Sequence, residues 1–310
     1  MARYDALLIV SFGGPEQRDD VIPFLENVLR GRNVPREGML EVAGHYYHFG
    51  GRSPINDQIR ALIDALRPAV DLPIYWGNRN WHPMLAATLR QMRDDGVKRA
   101  VAFVTSAFGS YSGCRQYIED IQRARAEVGA GAPEIVKIPP FSAQPKFITA
   151  MQDRTRAALA ELPGGKLIFT AHSVPASMAE SSPYVAELER ACAAVAGATE
   201  WKLVYQSRSG PPTQPWLGPD IGDYLRTIRS DAVIVPIGFL SDHMEVLYDL
   251  DTEARAVCDE LGVKMVRAGT VGTHPAIIEM IAELVEQSPS EGCGAECAAS
   301  CCPPPQRPGR

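Results

Sequence analysis

Short apolar runs alternate with longer amphipathic segments along most of this chain, and each run is typical of a buried parallel strand. The predicted strands are Ala6–Val10, Leu72–Trp76, Ala100–Thr105, Glu134–Ile138, Lys166–Thr170, Trp201–Gln206, Ala232–Gly238 and Lys264–Arg267. The predicted helices between them are Asp57–Val70, Pro83–Asp95, Gln116–Val128, Pro145–Leu162 and Pro183–Val195, with a final helix at His274–Gln287. Strands and helices at this spacing form βαβ units, so the sequence predicts an α/β protein with parallel sheets.

The strand and helix rhythm restarts after about residue 150, where Lys166–Thr170 opens a second half much as Ala6–Val10 opens the first. A chain of 310 residues with 45% hydrophobic content can bury the cores of two domains. We therefore expect two Rossmann-like domains, residues 1–150 and 151–287, facing a central cleft, followed by a tail at 288–310.

Two strand exits carry candidate chemistry. His172 follows the strand in "KLIFTAHSVP", and Glu245 follows the strand in "AVIVPIGFLSDHMEVLYDLD". Ligands of open α/β proteins bind at the carboxyl edge of the sheet, so an imidazole and a carboxylate are expected in one crevice. Such a pair can hold a divalent metal weakly or take up protons. The alternative for His172 is a polar cap that satisfies loop backbone groups.

An acidic row follows the second exit. Glu245, Asp249 and Glu253 recur every four residues and line one face of a predicted helix, while apolar residues occupy the other face. A row that leads inward from the sheet edge could pass cations in or protons out. The alternative is a solvated helix face.

Charge and motifs exclude several classes of function. The net charge is −6 with scattered Lys and Arg, which argues against nucleic-acid binding. Gly13 and Gly14 do not complete GxGxxG, and no GxxxxGK[ST] occurs, so nucleotide binding has no motif support. No stretch approaches the ~20 apolar residues of a transmembrane helix. The amino terminus is typical of a first strand, which predicts a cytoplasmic protein and leaves peripheral membrane contact open.

The seven cysteines are unevenly distributed, with a cluster in the tail. In a reducing compartment such a cluster favours a metal or iron–sulfur centre over disulfides. Zinc capture or a non-specific thiol tail is the alternative. Isolated cysteines are Cys114, Cys192 and Cys258, and the tail carries Cys293, Cys297, Cys301 and Cys302.

Several motifs together resemble one family. "FTAHSVP", "YQSRSGPPTQPWLGP" and "VPIGFLSDHMEVLYDLD", with "SFGGPE" and "GGRSPIND" near the amino terminus, are similar to the motif set of the ferrochelatases. These class II chelatases insert Fe2+ into a porphyrin in haem biosynthesis. The ordered match runs from about residue 5 to residue 287. The resemblance implies two Rossmann-like, chelatase-type domains with the porphyrin in the cleft between them.

Porphyrin metallation strips water from Fe2+, removes two pyrrole N–H protons and bends the macrocycle. A histidine nitrogen and a carboxylate oxygen suit Fe2+ and release it readily. The resemblance implies that His172 and Glu245 are the metal-binding and proton-handling pair, without deciding which does which. It also implies that Asp249 and Glu253 form the inner acidic helix face. Fe2+ is a substrate here, and insertion needs no redox cofactor or nucleotide.

The resemblance also assigns the porphyrin contacts. It implies that Ser53 and Tyr117 contact the propionates, with Tyr46 and Arg52 close by in sequence. Phe12 lies where some relatives carry a tyrosine or methionine near the metal; it has no donor atom, so it stacks on the macrocycle or belongs to the core. Other residues have two open interpretations: Arg30, Arg32, Arg79 and Arg115 as carboxylate ligands or surface charges, and Trp216 as substrate contact or packed loop anchor.

Some ferrochelatases hold a [2Fe–2S] cluster on one internal and three carboxyl-terminal cysteines. The resemblance implies Cys114 as the internal ligand. The tail offers one thiol more than needed, so the choice among Cys293, Cys297, Cys301 and Cys302 is open. The cluster would be structural or sensory, because insertion changes no oxidation state.

Two rival functions share this architecture. A chelatase that inserts cobalt or nickel into a sirohydrochlorin-type ring generally uses a histidine-rich site and lacks the "SDHMExLY" and "PWLGP" context. A non-catalytic tetrapyrrole-binding protein would not need the acidic row beside His172. Within the family, the short amino terminus, Phe12 and "FLENVLRGR" favour bacterial enzymes that use coproporphyrin III over enzymes that use protoporphyrin IX. A monomer is expected.

Overall fold

The computed structural model describes residues 4–31, 34–210, 213–287 and 301–304. Its described strands form two parallel sheets of four, with the orders β2-β1-β3-β4 and β6-β5-β7-β8. This confirms the predicted α/β class and the two Rossmann-like sheets. The strands are β1 (Ala6–Ser11), β2 (Ile74–Asn78), β3 (Arg99–Val104), β4 (Glu134–Lys137), β5 (Lys166–His172), β6 (Trp201–Gln206), β7 (Ala232–Val235) and β8 (Met265–Arg267).

Helices connect the strands and cover both faces of the sheets. They are α1 (Val21–Val28), α2 (Arg36–His48), α3 (Ile55–Leu66), α4 (Leu85–Asp94), α5 (Gln116–Val128), α6 (Pro145–Glu161), α7 (Ala176–Glu180), α8 (Tyr184–Ala196), α9 (Ile221–Ile228), α10 (Met244–Val246), α11 (Arg255–Leu261) and α12 (Pro275–Gln287). Two stretches are π-helical, Tyr111–Arg115 and Leu247–Ala254, and Arg18–Asp20 forms a 3-10 turn.

Prolines explain where two strands differ from their predicted bounds. β2 begins after Pro73 and not at Leu72, and β7 ends at Val235 because Pro236 follows. Proline has no N–H to donate to the ladder, so it marks the end of regular pairing. Of the helices, α5 matches its predicted bounds. α2 was missed by the sequence analysis because it buries little, namely Met39 and Ala43.

One buried apolar cluster extends through both halves of the molecule. It includes Phe103 behind the first sheet, Phe169 behind the second, and Ile277 of α12. α12 contacts both α6 and α3, which joins the carboxyl-terminal helix to the first half. Residue 150, the predicted domain boundary, lies within α6, and α6 contacts α8, α12, β7 and β8. The domain limits stay a prediction.

Each sheet has one point where the strand order changes direction, between β1 and β3 and between β5 and β7. Loops that leave the two central strands there run to opposite sides, which opens a crevice at the carboxyl edge. The candidate residues follow these four strands. No helix in the described ranges is long and apolar enough to span a bilayer.

Candidate active site

His172 and Glu245 lie at the crevice of the second sheet. His172 is the last residue of β5, and Glu245 is in α10, which follows β7. The His172 Nδ1–H donates to the Ser173 carbonyl oxygen, so Nε2 is the nitrogen that faces the carboxylate. His172 Nε2 lies 3.6 Å from Glu245 Oε2. The two strand exits therefore bring together the imidazole and carboxylate that the sequence predicts.

Local backbone packing fixes this arrangement. Gly238, in the loop after β7, donates its N–H to the Thr170 carbonyl at 3.1 Å. A Cβ at Gly238 would lie 2.8 Å from Ala171 Cα, so the loop can cross the end of β5 only with glycine at this position. On the other side, the Tyr184 hydroxyl donates to the His172 carbonyl at 2.9 Å. The loop crossing carries the chain from β7 to Glu245 beside His172.

Each group of the pair favours the charged form of the other. Burial alone would lower the pKa of His172, but the Glu245 carboxylate and the Ser173 carbonyl outweigh burial and raise it. Burial would raise the pKa of Glu245, but His172, His243 and His45 outweigh it and lower the pKa to about 2. Protein surrounds both groups, yet their side chains are 33% and 49% exposed. They face an open cleft and can be reached by a substrate.

His243 is a third imidazole at this site that the sequence analysis did not single out. It caps α10: its Nδ1 accepts the Glu245 backbone N–H at 3.2 Å and lies 3.9 Å from Glu245 Oε2. Burial lowers the pKa of His243, and the charge of His172 adds to this effect. Its position inside the motif "SDHMEV" was the available signal.

The acidic row extends from Glu245 along the π-helical segment Leu247–Ala254. Asp249 accepts hydrogen bonds from the Ser207 hydroxyl and from Gln206 Nε2, at the exit of β6. Burial raises the pKa of Asp249 to about 7, with the charges of Glu245 and Glu253 adding to the effect. Glu253 is exposed at the outer end of the row, and burial raises its pKa as well. The row thus links the cleft to the surface.

A cluster of aromatic side chains, here called the aromatic wall, lies at the exit of β1. Phe12 is 36% exposed and packs edge-on against Phe24, with ring centroids 6.2 Å apart. Phe24 in turn contacts Tyr46 at 5.6 Å and Trp81 at 6.4 Å. Burial raises the pKa of Tyr46, and the Glu245 charge adds to the effect, so this phenol stays neutral. The rings of the wall pack edge-to-face, and the influence of Glu245 on Tyr46 shows that the wall lies near the charged pair.

The predicted propionate contacts, Ser53 and Tyr117, are nearly buried, at 3% and 5% exposure. Ser53 donates its N–H to the Pro15 carbonyl, and its hydroxyl accepts from the Ile55 N–H at 3.5 Å. Tyr117 lies beneath the Arg79 guanidinium, which is 4.4 Å from the ring. Their roles stay predictions.

The candidate arginines differ in their partners. Arg79 forms a buried ion pair with Asp120, at 7% and 8% side-chain exposure, and lies over the rings of Phe12 and Tyr117. It therefore stabilises the wall. Arg52 pairs with Asp57 at the surface, Arg115 lies 3.5 Å from Glu119, and Arg30 donates to Asn27; Arg32 lies outside the described residues.

Two further aromatic contacts involve His45 at the cleft and Trp216 in the loop after β6. The His45 ring of α2 stacks on the Tyr248 ring of the π-helical segment, with centroids 3.7 Å apart and 9° between planes. This stack links the two halves at the cleft.

The other contact concerns Trp216, whose indole packs against Gly210. A Cβ added at Gly210 would lie 2.3 Å from Trp216 Nε1. That contact favours the loop-anchor interpretation of Trp216.

Comparison with known proteins decides the family. The family model described as Ferrochelatase matches residues 4–289, which is nearly the whole described chain. The chain belongs to the ferrochelatase family. Members are enzymes that insert Fe2+ into porphyrin, so the predicted enzyme class and Fe2+ as substrate are confirmed.

Individual relatives agree with the family model. The chain is 56% identical over 301 residues to a ferrochelatase of Rhodopirellula baltica, covering 92% of this chain and 86% of the relative. It is 48% identical over 344 residues to a coproporphyrin III ferrochelatase of Nocardia farcinica, covering 98% of each. Both matches span the cleft and the two sheets.

Solved structures with the same fold are distant in sequence. CbiX, described as the terminal enzyme of sirohaem biosynthesis in denitrifying bacteria, matches with a TM-score of 0.56 at 18% identity, covering 92% of this chain and 100% of that one. SirB from Bacillus subtilis matches with a TM-score of 0.57 at 12% identity, covering 91% and 94%. At such identities the likeness concerns the chelatase fold alone, so it does not favour the sirohydrochlorin alternative for this ferrochelatase-family chain.

The cysteines of this family member are only partly described. Cys114 is buried in the π-helical turn Tyr111–Arg115. The Cys301 and Cys302 sulfurs lie 3.4 Å apart, and Cys293 and Cys297 lie outside the described residues. Within the described ranges, no group of three or more His, Cys, Asp or Glu side chains is arranged to hold a metal ion.

Proposed function

We propose that this enzyme inserts Fe2+ into coproporphyrin III, with His172 and Glu245 as the metal-binding and proton-handling pair. The observation that carries the proposal is the 3.6 Å approach of His172 Nε2 to Glu245 Oε2 in an open cleft. An imidazole and a carboxylate are suitable transient ligands for Fe2+. The aromatic wall lies near this pair, and its exposed member Phe12 can stack on a planar macrocycle.

The charges support a division of labour within the pair. Glu245, with its pKa lowered to about 2, stays a carboxylate and attracts the incoming Fe2+. His172, whose pKa the carboxylate raises, accepts a pyrrole proton at Nε2 as the N–H bond breaks. The second pyrrole proton follows the same route once His172 has released the first. Asp249, with a pKa of about 7, can take these protons onward near neutral pH.

Coproporphyrin III is favoured for two reasons. The Nocardia farcinica relative, 48% identical over nearly the full length of both chains, carries that substrate in its name. The four carboxylates of this ring also need several donors, and Arg30 and Arg52 are exposed arginines of the first half. Protoporphyrin IX, with two carboxylates, is the alternative substrate.

Anaerobic Fe2+ insertion, followed by absorbance, tests the proposal. We expect His172→Ala and Glu245→Gln each to lower kcat by about a hundredfold or more, because each removes a group that acts on the reacting atoms. Porphyrin binding, measured by fluorescence quenching, should be retained. Glu283→Gln, at a surface ion pair with Lys146, is the matched control and should insert iron at the wild-type rate. A wild-type rate in either site variant would contradict the assigned pair.

The same assay separates the substrates. Coproporphyrin III and protoporphyrin IX are offered separately at equal concentration, and kcat/KM is compared. We expect a higher value for coproporphyrin III. A higher value for protoporphyrin IX would contradict the substrate proposal and leave the iron-insertion activity intact.

We further propose that Cys114 and three tail cysteines bind a [2Fe–2S] cluster. The donor set fits such a cluster, because thiolates are its usual ligands and the Cys301 and Cys302 sulfurs already lie 3.4 Å apart. When bound, the cluster would supply a structural or redox-sensing centre. The other two tail candidates, Cys293 and Cys297, lie outside the described residues, so the choice of three among the four tail cysteines stays open.

Iron and acid-labile sulfide analysis of anaerobically purified protein tests the cluster. We expect two iron and two sulfide per chain and a reddish-brown colour, all lost in Cys114→Ser. Cys258→Ala, at another buried thiol, is the control and should keep the colour. Stoichiometric zinc without sulfide would contradict the cluster. A monomer and a cytoplasmic location stay predictions, to be measured by light scattering and cell fractionation.

A further inference from the structure

A partly buried arginine, Arg267, is hydrogen-bonded on both sides of Glu245 in the chain. Arg267, the last residue of β8, has a side chain only 13% exposed. Its Nε and Nη2 donate to the Asp251 carboxylate at 2.7 and 2.8 Å. Its Nη1 and Nη2 reach the Asp242 carboxylate at 3.1 and 3.4 Å. Asp242 and Asp251 lie on either side of Glu245 in the chain.

The guanidinium is suited to this position in a way that a lysine is not. Its planar fork donates several parallel hydrogen bonds in a fixed geometry, whereas an ammonium is a single point charge. Here one fork holds two carboxylates at once and so sets the distance between them. The restraint acts across a stretch of backbone and not on one side chain.

The stretch between the two aspartates needs such a restraint. Residues Leu247–Ala254 are π-helical, a geometry that is rare and frequent at functional sites. The start of the stretch is fixed from the first half as well, since the Asp242 N–H donates to Gln58 Oε1 at 2.9 Å. His243, next to Asp242, then caps the Glu245 N–H. Arg267 thus connects to Glu245 through two successive neighbours.

We propose that Arg267 is a positioning residue for iron insertion: by holding Asp242 and Asp251 together, it fixes the π-helical segment so that Glu245 faces His172. This inference rests on the proposed role of Glu245. The guanidinium of Arg267 is hydrogen-bonded to Asp242 and Asp251, so it acts on the reaction through the backbone that carries the Glu245 carboxylate.

Steady-state kinetics of Arg267→Lys test the inference. We expect the KM for Fe2+ to rise about tenfold with a fall in kcat, because Glu245 is displaced, while the KM for the porphyrin stays within twofold of wild type. Arg60→Lys is the matched control, since Arg60 also joins two carboxylates, Glu16 and Asp57, but on the exposed surface of α3. Its kinetics should equal those of wild type.

Combination with Glu245→Gln distinguishes the two proposals. If Arg267 acts through Glu245, the double variant inserts iron at the same residual rate as Glu245→Gln alone. Independent, multiplying losses would overturn the inference, and so would a lowered Tm of Arg267→Lys with unchanged kinetics. A wild-type rate in Glu245→Gln would instead reject the proposed function itself.

A second variant, Asp251→Asn, tests the same inference if Arg267→Lys does not fold. Asp251→Asn weakens one arm of the fork and leaves the Asp242 arm in place. We expect it to shift the KM for Fe2+ in the same direction by about threefold. An unchanged KM in a folded Asp251→Asn protein would overturn the inference.

Discussion

At the scale of single residues, the site is a small set of coupled charges. Glu245 is surrounded by His172, His243 and His45, and each imidazole favours its carboxylate form. Asp249, further along the row, has the opposite environment, because burial and neighbouring carboxylates favour its protonated form. The surroundings thereby shift the pKa values of two carboxyl groups of the same segment in opposite directions.

The pKa of His172 should fall when Glu245 is replaced. The carboxylate is the largest influence that raises this pKa, so Glu245→Gln leaves burial as the dominant effect. An NMR titration of the imidazole signals, without added metal, measures the change. Replacement of the remote Glu283 by glutamine should leave the titration unchanged, and an unaltered His172 in Glu245→Gln would mean that the pair does not interact in solution.

Asp249→Asn should stabilise the protein at neutral pH and above. The pKa of Asp249 is about 7 when folded and close to 4 when unfolded, so the native state binds its proton more tightly. Wild-type stability therefore declines as pH rises from about 4 to 7 and stays at the lower level above. Asparagine does not titrate, so the Asp249→Asn protein does not lose stability in this way as pH rises.

Thermal unfolding in metal-free buffers from pH 4 to 8 measures this difference. The Tm of Asp249→Asn minus that of wild type should grow up to about pH 7 and then level off. For a chain of 310 residues, each kcal/mol of added stability should raise Tm by about 1–2 °C. A difference that does not change with pH would contradict the raised pKa.

The sequence could predict His172 and Glu245 because an apolar run marks each buried strand, and the polar residues that follow the run lie at the carboxyl edge of the sheet. His243 was missed because nothing in its spacing separates it from the surrounding loop. The sequence did not predict that Ser53 and Tyr117 are buried. Nor did it predict the ion pair between Arg79 and Asp120. Contacts between residues so far apart in sequence depend on how loops pack, and periodicity contains no information on that.

At the scale of secondary structure, the acidic row illustrates what periodicity can and cannot resolve. Spacing of four residues predicted a common face for Glu245, Asp249 and Glu253. The observed segment is π-helical from Leu247 to Ala254, a form that sequence periodicity does not distinguish from an α-helix. The tertiary contacts that hold the segment come from β6 and β8, which the local pattern does not include.

Two glycine substitutions should have opposite effects on stability. Gly238→Ala should lower the free energy of unfolding by about 1–3 kcal/mol, because the new Cβ meets the Ala171 backbone at 2.8 Å. It should also lower the rate of iron insertion, since the displaced loop leads to Glu245. Urea denaturation and the insertion assay measure both effects.

Gly44→Ala is the matched comparison. Gly44 lies within α2 and its added Cβ would meet no atom within 4 Å. Alanine there should raise the free energy of unfolding by about 0.5–1 kcal/mol through helix propensity. Equal effects of the two substitutions would mean that the crossing at Ala171 is not tight.

At the scale of the whole molecule, α2 is a long helix of the cleft that buries few side chains. Only Met39 and Ala43 of this helix are buried, and His45 reaches across to Tyr248. The sequence predicted two sheets facing a cleft but not this contact, because α2 lacks a strong apolar period. The rim of the cleft thus depends on a ring stack between the two halves.

Tyr248→Ala should loosen α2, whereas Tyr248→Phe should not. An aromatic pair contributes about 0.5–1.5 kcal/mol, so its loss should speed hydrogen exchange of the α2 amides roughly two- to tenfold. Hydrogen-exchange mass spectrometry of peptides covering Arg36–His48 measures this. Similar exchange in both variants would show that the stack does not hold the helix.

The apolar cluster shared by the two sheets has a mechanical consequence. A hinge between the halves would expose side chains such as Phe103, Phe169 and Ile277 to water, which the hydrophobic effect opposes. The relative position of the two sheets is therefore set by the interior of the protein and resists deformation. Under the function proposed above, a flat, stiff ring that binds between the two halves would have to change its own shape, and the protein interior would supply the rigidity against which the ring bends.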